Sequence, residues 1–130
     1  MQARSLGLVI CLGFGALLGC TQKTRAVACT CTYGGEVKRL VFPATLEPYA
    51  LQPVDVGARF RLKVVYLREP WRAASVSVYA YARGAEQDVL LQQGQYLPPF
   101  RANGRFGFTG RQLLYSPAQR ELEYWCEIAP

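Results

Sequence analysis

The stretch "ARFRLKVVYL", residues 58–67, alternates apolar and charged side chains with a period of two. Phe60, Leu62, Val64 and Tyr66 fall on one side, and Arg59, Arg61 and Lys63 on the other. Successive side chains of an extended chain point to opposite faces, whereas a helical stripe repeats every 3.6 residues, so this pattern specifies a half-buried strand. The alternation recurs in "ELEYWCEI", where Leu122, Tyr124, Cys126 and Ile128 oppose Glu121, Glu123, Trp125 and Glu127. It recurs again in "ASVSVYAYA", where Val76, Val78, Ala80 and Ala82 oppose Ser75, Ser77, Tyr79 and Tyr81; either face is apolar enough to be the buried one. No window of twelve residues carries helical spacing.

The connections have the composition of turns. "VACTCTY" and "EVKRLVF" flank Gly34-Gly35, a two-residue hairpin signal in which glycine supplies positive φ. In "PATLEPYALQPVDVG", Pro43, Pro48 and Pro53 remove amide donors, which leaves a loop or an edge strand. "DVLLQ", "RFGFT" and "QLLYS" predict further short strands, "GQYLPPFRANG" breaks regular structure, and Ser116-Pro117 turns the chain into its last strand. Seven or eight short strands so spaced predict an all-β domain. The expected form is an antiparallel β-sandwich, immunoglobulin-like in broad architecture, with a small β-barrel as the alternative.

The first residues read differently. Arg4 precedes an uncharged apolar run, Leu6 to Leu18, that is too short for the ~20 residues of a membrane span and has the length of a secretory signal core. Leu17-Leu18-Gly19-Cys20 resembles the lipobox of bacterial lipoproteins, with Leu18 where a small residue is commoner. The resemblance implies cleavage before Cys20 and acylation of its thiol, and Thr21 in place of Asp implies sorting to the outer membrane. The expected organisation is a signal peptide over 1–19, a lipidated tether over 20–28 and one domain over 29–130. The rival site is Ala26-Val27-Ala28, an A-x-A pattern that would release a soluble periplasmic or secreted chain starting at Cys29. Lys23 and Arg25, just before it, argue against that cut.

Export gives the remaining chemistry its context. Cys11 lies in the signal, so Cys126 is expected to pair with Cys29 or Cys31, closing almost the whole domain. The formal charge of +6 falls to +5 without Arg4, with no basic run, which argues against nucleic acid as a partner. The chain contains no histidine, which excludes Ser-His-Asp and Cys-His catalysis and histidine-ligated zinc. Asp55 and Asp88 are the only aspartates, both in turn-like contexts, and the glutamates of 121–127 share a strand face expected to be wet. No enzyme activity, cofactor or metal is expected.

Three surface features remain. The basic face of Arg59, Arg61 and Lys63 suits an anionic partner, or lies beside Glu123 and Glu127 as cross-strand ion pairs; the second is the preferred expectation. Trp125 is either covered by a loop or arginine stems or is an interface anchor. Tyr96, Pro98, Pro99, Phe100 and Arg101 form a proline-stiffened segment suited to binding, or a lid that buries its own aromatics. The functional expectation is a non-enzymatic envelope lipoprotein. Its domain would act as a structural or binding module, contacting the membrane through its anchor and an envelope protein or cell-wall polymer. The alternative is a lipoprotein inhibitor or immunity protein that blocks a toxin or lytic enzyme.

Overall fold

The computed structural model describes residues 25–118 and 120–129. The expected signal peptide with Cys11, and Cys20 with its expected lipidation, lie outside the described residues. Eight strands form two four-stranded antiparallel sheets: β1 (Ala26–Tyr33), β2 (Glu36–Pro43), β3 (Val54–Val56), β4 (Phe60–Leu67), β5 (Ser75–Ala82), β6 (Val89–Tyr96), β7 (Gln112–Tyr115) and β8 (Glu121–Ala129). The strand orders are β2-β1-β8-β7 and β3-β4-β5-β6. The sheets do not close into a barrel, and the domain is a β-sandwich. Its connectivity is a meander: every hydrogen-bonded neighbour is the next strand in sequence, except that β8 returns to pair with β1. It has the two layers of an immunoglobulin domain without the Greek-key crossing.

The core comes chiefly from the two central strands of each sheet, which are flanked on both sides and covered by the opposite sheet, with Val56 of the edge strand β3 added to it. Val27, Cys29 and Cys31 of β1 and Leu122, Tyr124 and Cys126 of β8 face Phe60, Leu62, Val64 and Tyr66 of β4 and Val76, Val78 and Ala80 of β5. The ambiguous strand is resolved: the Val–Ala side of β5 is buried, and Tyr79 and Tyr81 point outward. Gly34 and Gly35 turn the β1–β2 hairpin with φ of 58° and 82°, as a primed two-residue turn requires.

Three elements differ from expectation. β1 begins at Ala26, inside the expected tether, and Ala26, Val27 and Ala28 are buried between β2 and β8. β6 runs on through Gly94 to Tyr96, and the Tyr96 side chain lies over Gly94, where a Cβ would come within 3.1 Å of its hydroxyl. "RFGFT" is not a strand. Gly104–Phe106 is a 3-10 turn, and Gly107 follows with φ 61° and ψ −155°, a region open only to glycine. The turn packs along β8: the Phe108 amide donates to the Cys126 carbonyl, and the Cys126 amide donates to Thr109 Oγ1.

That packing makes a sharp prediction. A Cβ on Gly107 would be driven into the Cys126 carbonyl oxygen, whereas one on Gly104 would meet open space. Gly107→Ala is expected to cost about 3 kcal/mol, strain and overlap together. Gly104→Ala should cost about 1 kcal/mol, from its φ of 73° alone. Urea unfolding of the two variants checks the ranking.

A candidate binding surface at the amino-terminal end

β1 and β8 pair so that Cys29 stands directly opposite Cys126 and Cys31 opposite Tyr124. The disulfide joins Cys29 to Cys126, 97 residues apart, with their Cα atoms separated by 4.1 Å. Cys126 turns its own amide and carbonyl away toward Thr109 and Phe108, which makes the cysteines a non-hydrogen-bonded pair with the closest side chains. Cys31 is the diagonal neighbour of Cys126, and at roughly 7–8 Å such a pair exceeds disulfide reach. Its thiol is free and buried, and burial pushes it up to about 11, so it is an un-ionised, unreactive group at neutral pH.

The seam between β6 and β7 is closed by polar side chains. Tyr124 donates its phenol hydrogen to Gln92 Oε1 at 2.6 Å, Gln92 Nε2 donates to Gln112 Oε1, and Gln112 Nε2 donates to the Thr109 carbonyl. Burial pushes the Tyr124 phenol well above its ordinary range. Tyr124→Phe removes the donor and leaves a partly buried glutamine oxygen unpaired. It is expected to cost about 1–2 kcal/mol by thermal unfolding, without altering the disulfide.

The basic face is reorganised relative to expectation. β4 and β8 belong to different sheets, so Arg61 and Lys63 do not lie beside Glu123 and Glu127. Arg61 instead bridges Asp55 at 2.7 Å and Asp88 at 2.9 Å, and Arg83 approaches Asp55 from its other side. The hydrogen bond from Arg61 holds the Asp55 carboxyl below its usual range. The two aspartates are therefore ion-pair partners across β3, β4 and the β5–β6 turn. Lys63 lies over the Tyr79 ring at 4.8 Å, and Arg59 is exposed. Glu123 is taken by Arg111 at 2.8 Å, which lowers its carboxyl, and Glu127 by Arg39 at 3.5 Å. Trp125, half-buried, packs edge-on against Phe106 of the 3-10 turn at 6.2 Å.

The 96–101 segment divides between the two roles foreseen for it. Tyr96 and Phe100 turn inward onto Phe108 at 5.3 and 5.5 Å, and Phe100 also meets Tyr66 at 5.9 Å, plugging the end of the core. Leu97, Pro98, Pro99 and Arg101 stay exposed. Pro98, Pro99 and Phe100 form one wall of an open groove of about 470 Å³ whose other wall is Arg68, Glu69 and Trp71. Arg25, where the described chain begins, lines the same groove. Trp71 is 73% exposed and Leu97 68%.

Sequence reasoning singled out the proline wall and missed the other. The available signal for that wall is Trp71 itself, a tryptophan beside Pro70 rather than on a strand face. Comparison with family models, with curated proteins and with solved structures finds no match to this chain.

Proposed function

We propose that this chain is an exported lipoprotein, acylated at Cys20, whose β-sandwich is a non-enzymatic binding module held at the outer membrane. The observation that carries the reading is the burial of Val27, with none of its surface left to solvent, between Ala26 and Ala28 in a central strand. Cleavage after Ala28 would remove residues that pair with Pro43 and Val41 on one side and Ala129 and Glu127 on the other. Cleavage before Cys20 leaves all of β1 intact. The lipobox thus agrees with the fold's own need for residues 26–28, and the A-x-A site does not. The Arg25 groove, with Trp71 exposed in its wall and Leu97 exposed just before the Pro98 wall, is the binding surface in this reading.

Exposure of Leu97, Pro98, Pro99 and Arg101 also favours the inhibitor reading, since a protruding stiff segment suits insertion into a partner. Inward packing of Tyr96 and Phe100 counts against it, because the two aromatics best suited as anchors are occupied. Mass spectrometry of the mature amino terminus tests the main reading. A diacyl- or triacyl-modified Cys20 is expected; an unmodified chain starting at Cys29 overturns it.

A further inference from the structure

We infer that the groove end of the sandwich rests on the bilayer that holds its anchor, with Trp71 and Leu97 at headgroup depth and arginines against anionic lipid phosphates. The inference rests on Cys20 acylation and names the partner of the surface described above. Chain length comes first. The five peptide steps from Cys20 to Arg25 span at most about 17 Å, and Arg25 already lines the groove. A lipid-bearing Cys20 therefore holds this end of the domain within about two Debye lengths of the surface. The opposite end, with the Gly34-Gly35 hairpin, is one full strand further away.

Charge and side-chain type agree with that placement. Arg25, Arg68, Arg72 and Arg101 are exposed at this end, and among the described residues none is in an ion pair. Elsewhere on the domain Arg39, Arg61, Arg83 and Arg111 are each paired with a carboxylate, and Arg59, Arg105 and Arg120 are exposed with no ion pair among the described residues. The acids near the groove are Glu69, in its wall, and Glu47, beside Thr45, so the balance stays positive. Arg72 stacks on Trp71 at 5.4 Å, joining an indole to a guanidinium. Tryptophan with arginine is a pairing suited to the membrane interface, where the ring meets the acyl boundary and the cation meets phosphate. Leu97 and Leu46 add exposed aliphatic surface that has no role in the core.

The chain's two tryptophans make the test direct, because Trp71 lies at the groove and Trp125 on the flank of β8. Acylated protein is purified from its host as Trp125→Phe and Trp71→Phe variants. Each is reconstituted into phosphatidylethanolamine–phosphatidylglycerol vesicles carrying a headgroup-level nitroxide lipid. The expected result is loss of Trp71 emission with Trp125 unaffected, and recovery of Trp71 emission in an Arg68→Glu/Arg72→Glu background or in high salt. An acylated Cys20 with Trp71 unquenched, or both tryptophans quenched alike, overturns the docking and leaves the anchor standing. The groove is then open to a soluble protein. Equal quenching in vesicles of phosphatidylcholine alone overturns the recognition of anionic lipid. An unacylated Cys20, read by mass on the same sample, removes the anchor and the docking with it.

Discussion

A chain beginning at Cys29 is expected to unfold about 12–40 °C below one beginning at Cys20. The shorter chain loses Val27, whose complete burial is worth about 1.5–3 kcal/mol. It also loses the first three residues of a strand bonded on both sides, at about 0.5–1.5 kcal/mol net for each hydrogen bond. Ordering entropy recovered by the missing residues offsets part of this, at about 1–2 kcal/mol each. A net loss of roughly 3–5 kcal/mol remains, against a total of about 5–15 kcal/mol for a domain of this size. At about 4–8 °C per kcal/mol the shift is large on any thermal scan. Equal melting of the two chains, each with its disulfide intact, would show that the Ala26–Ala28 segment is dispensable and reopen the A-x-A cut.

Loss of the disulfide has an effect of similar size through a different physical route. Cys29 and Cys126 enclose nearly the whole domain, so the bond restricts the unfolded chain by about 4–5 kcal/mol in the loop-entropy treatment. Cys126→Ser is expected to lose most of that, read by urea unfolding. Cys31→Ala should cost only about 1 kcal/mol, for a small vacancy beside Tyr124. Non-reducing peptide mapping supplies the qualitative check. It should join the peptides of Cys29 and Cys126 and leave Cys31 as a thiol that reacts only on unfolding. A Cys31–Cys126 peptide would mean that β1 and β8 pair two residues out of the register described.

The terminal strands illustrate how local pattern and long-range pairing divide the information. That a cysteine of β1 should meet Cys126 was legible, because export favours oxidation and these cysteines lie in strands at opposite ends of a β-rich chain. Which of Cys29 and Cys31 is bonded was not, since both point inward and only the register of two strands far apart in sequence separates them. The basic stripe of β4 shows the same limit more severely. Its alternation identified the strand and its buried side, yet the expected partners Glu123 and Glu127 lie in the other sheet. The actual partners, Asp55 and Asp88, come from a short edge strand and a turn where composition suggested only solvation.

The groove was half legible for a related reason. Proline and aromatic residues marked 96–101 as special, and packing then sorted them, taking Tyr96 and Phe100 as plugs and leaving Leu97, Pro98 and Pro99 outside. Arg68, Glu69 and Trp71 join the site from a turn almost thirty residues earlier, and nothing local announces such a meeting. "RFGFT" failed as a strand because alternation over so short a stretch is outweighed by one residue's backbone. Gly107 must take a conformation closed to other residues for the turn to reach β8.

Period-two patterning, glycine pairs and prolines were enough to establish an all-β chain, most of its strands and the buried side of β4 and β8. These are properties of a strand and its two faces, decided by which side chains tolerate water, and they are written within ten residues. Sheet order, disulfide choice, ion-pair partners and the groove were settled by the folded chain alone. Each depends on which of several similar strand edges and loops come together, and that selection follows from packing the entire core at once.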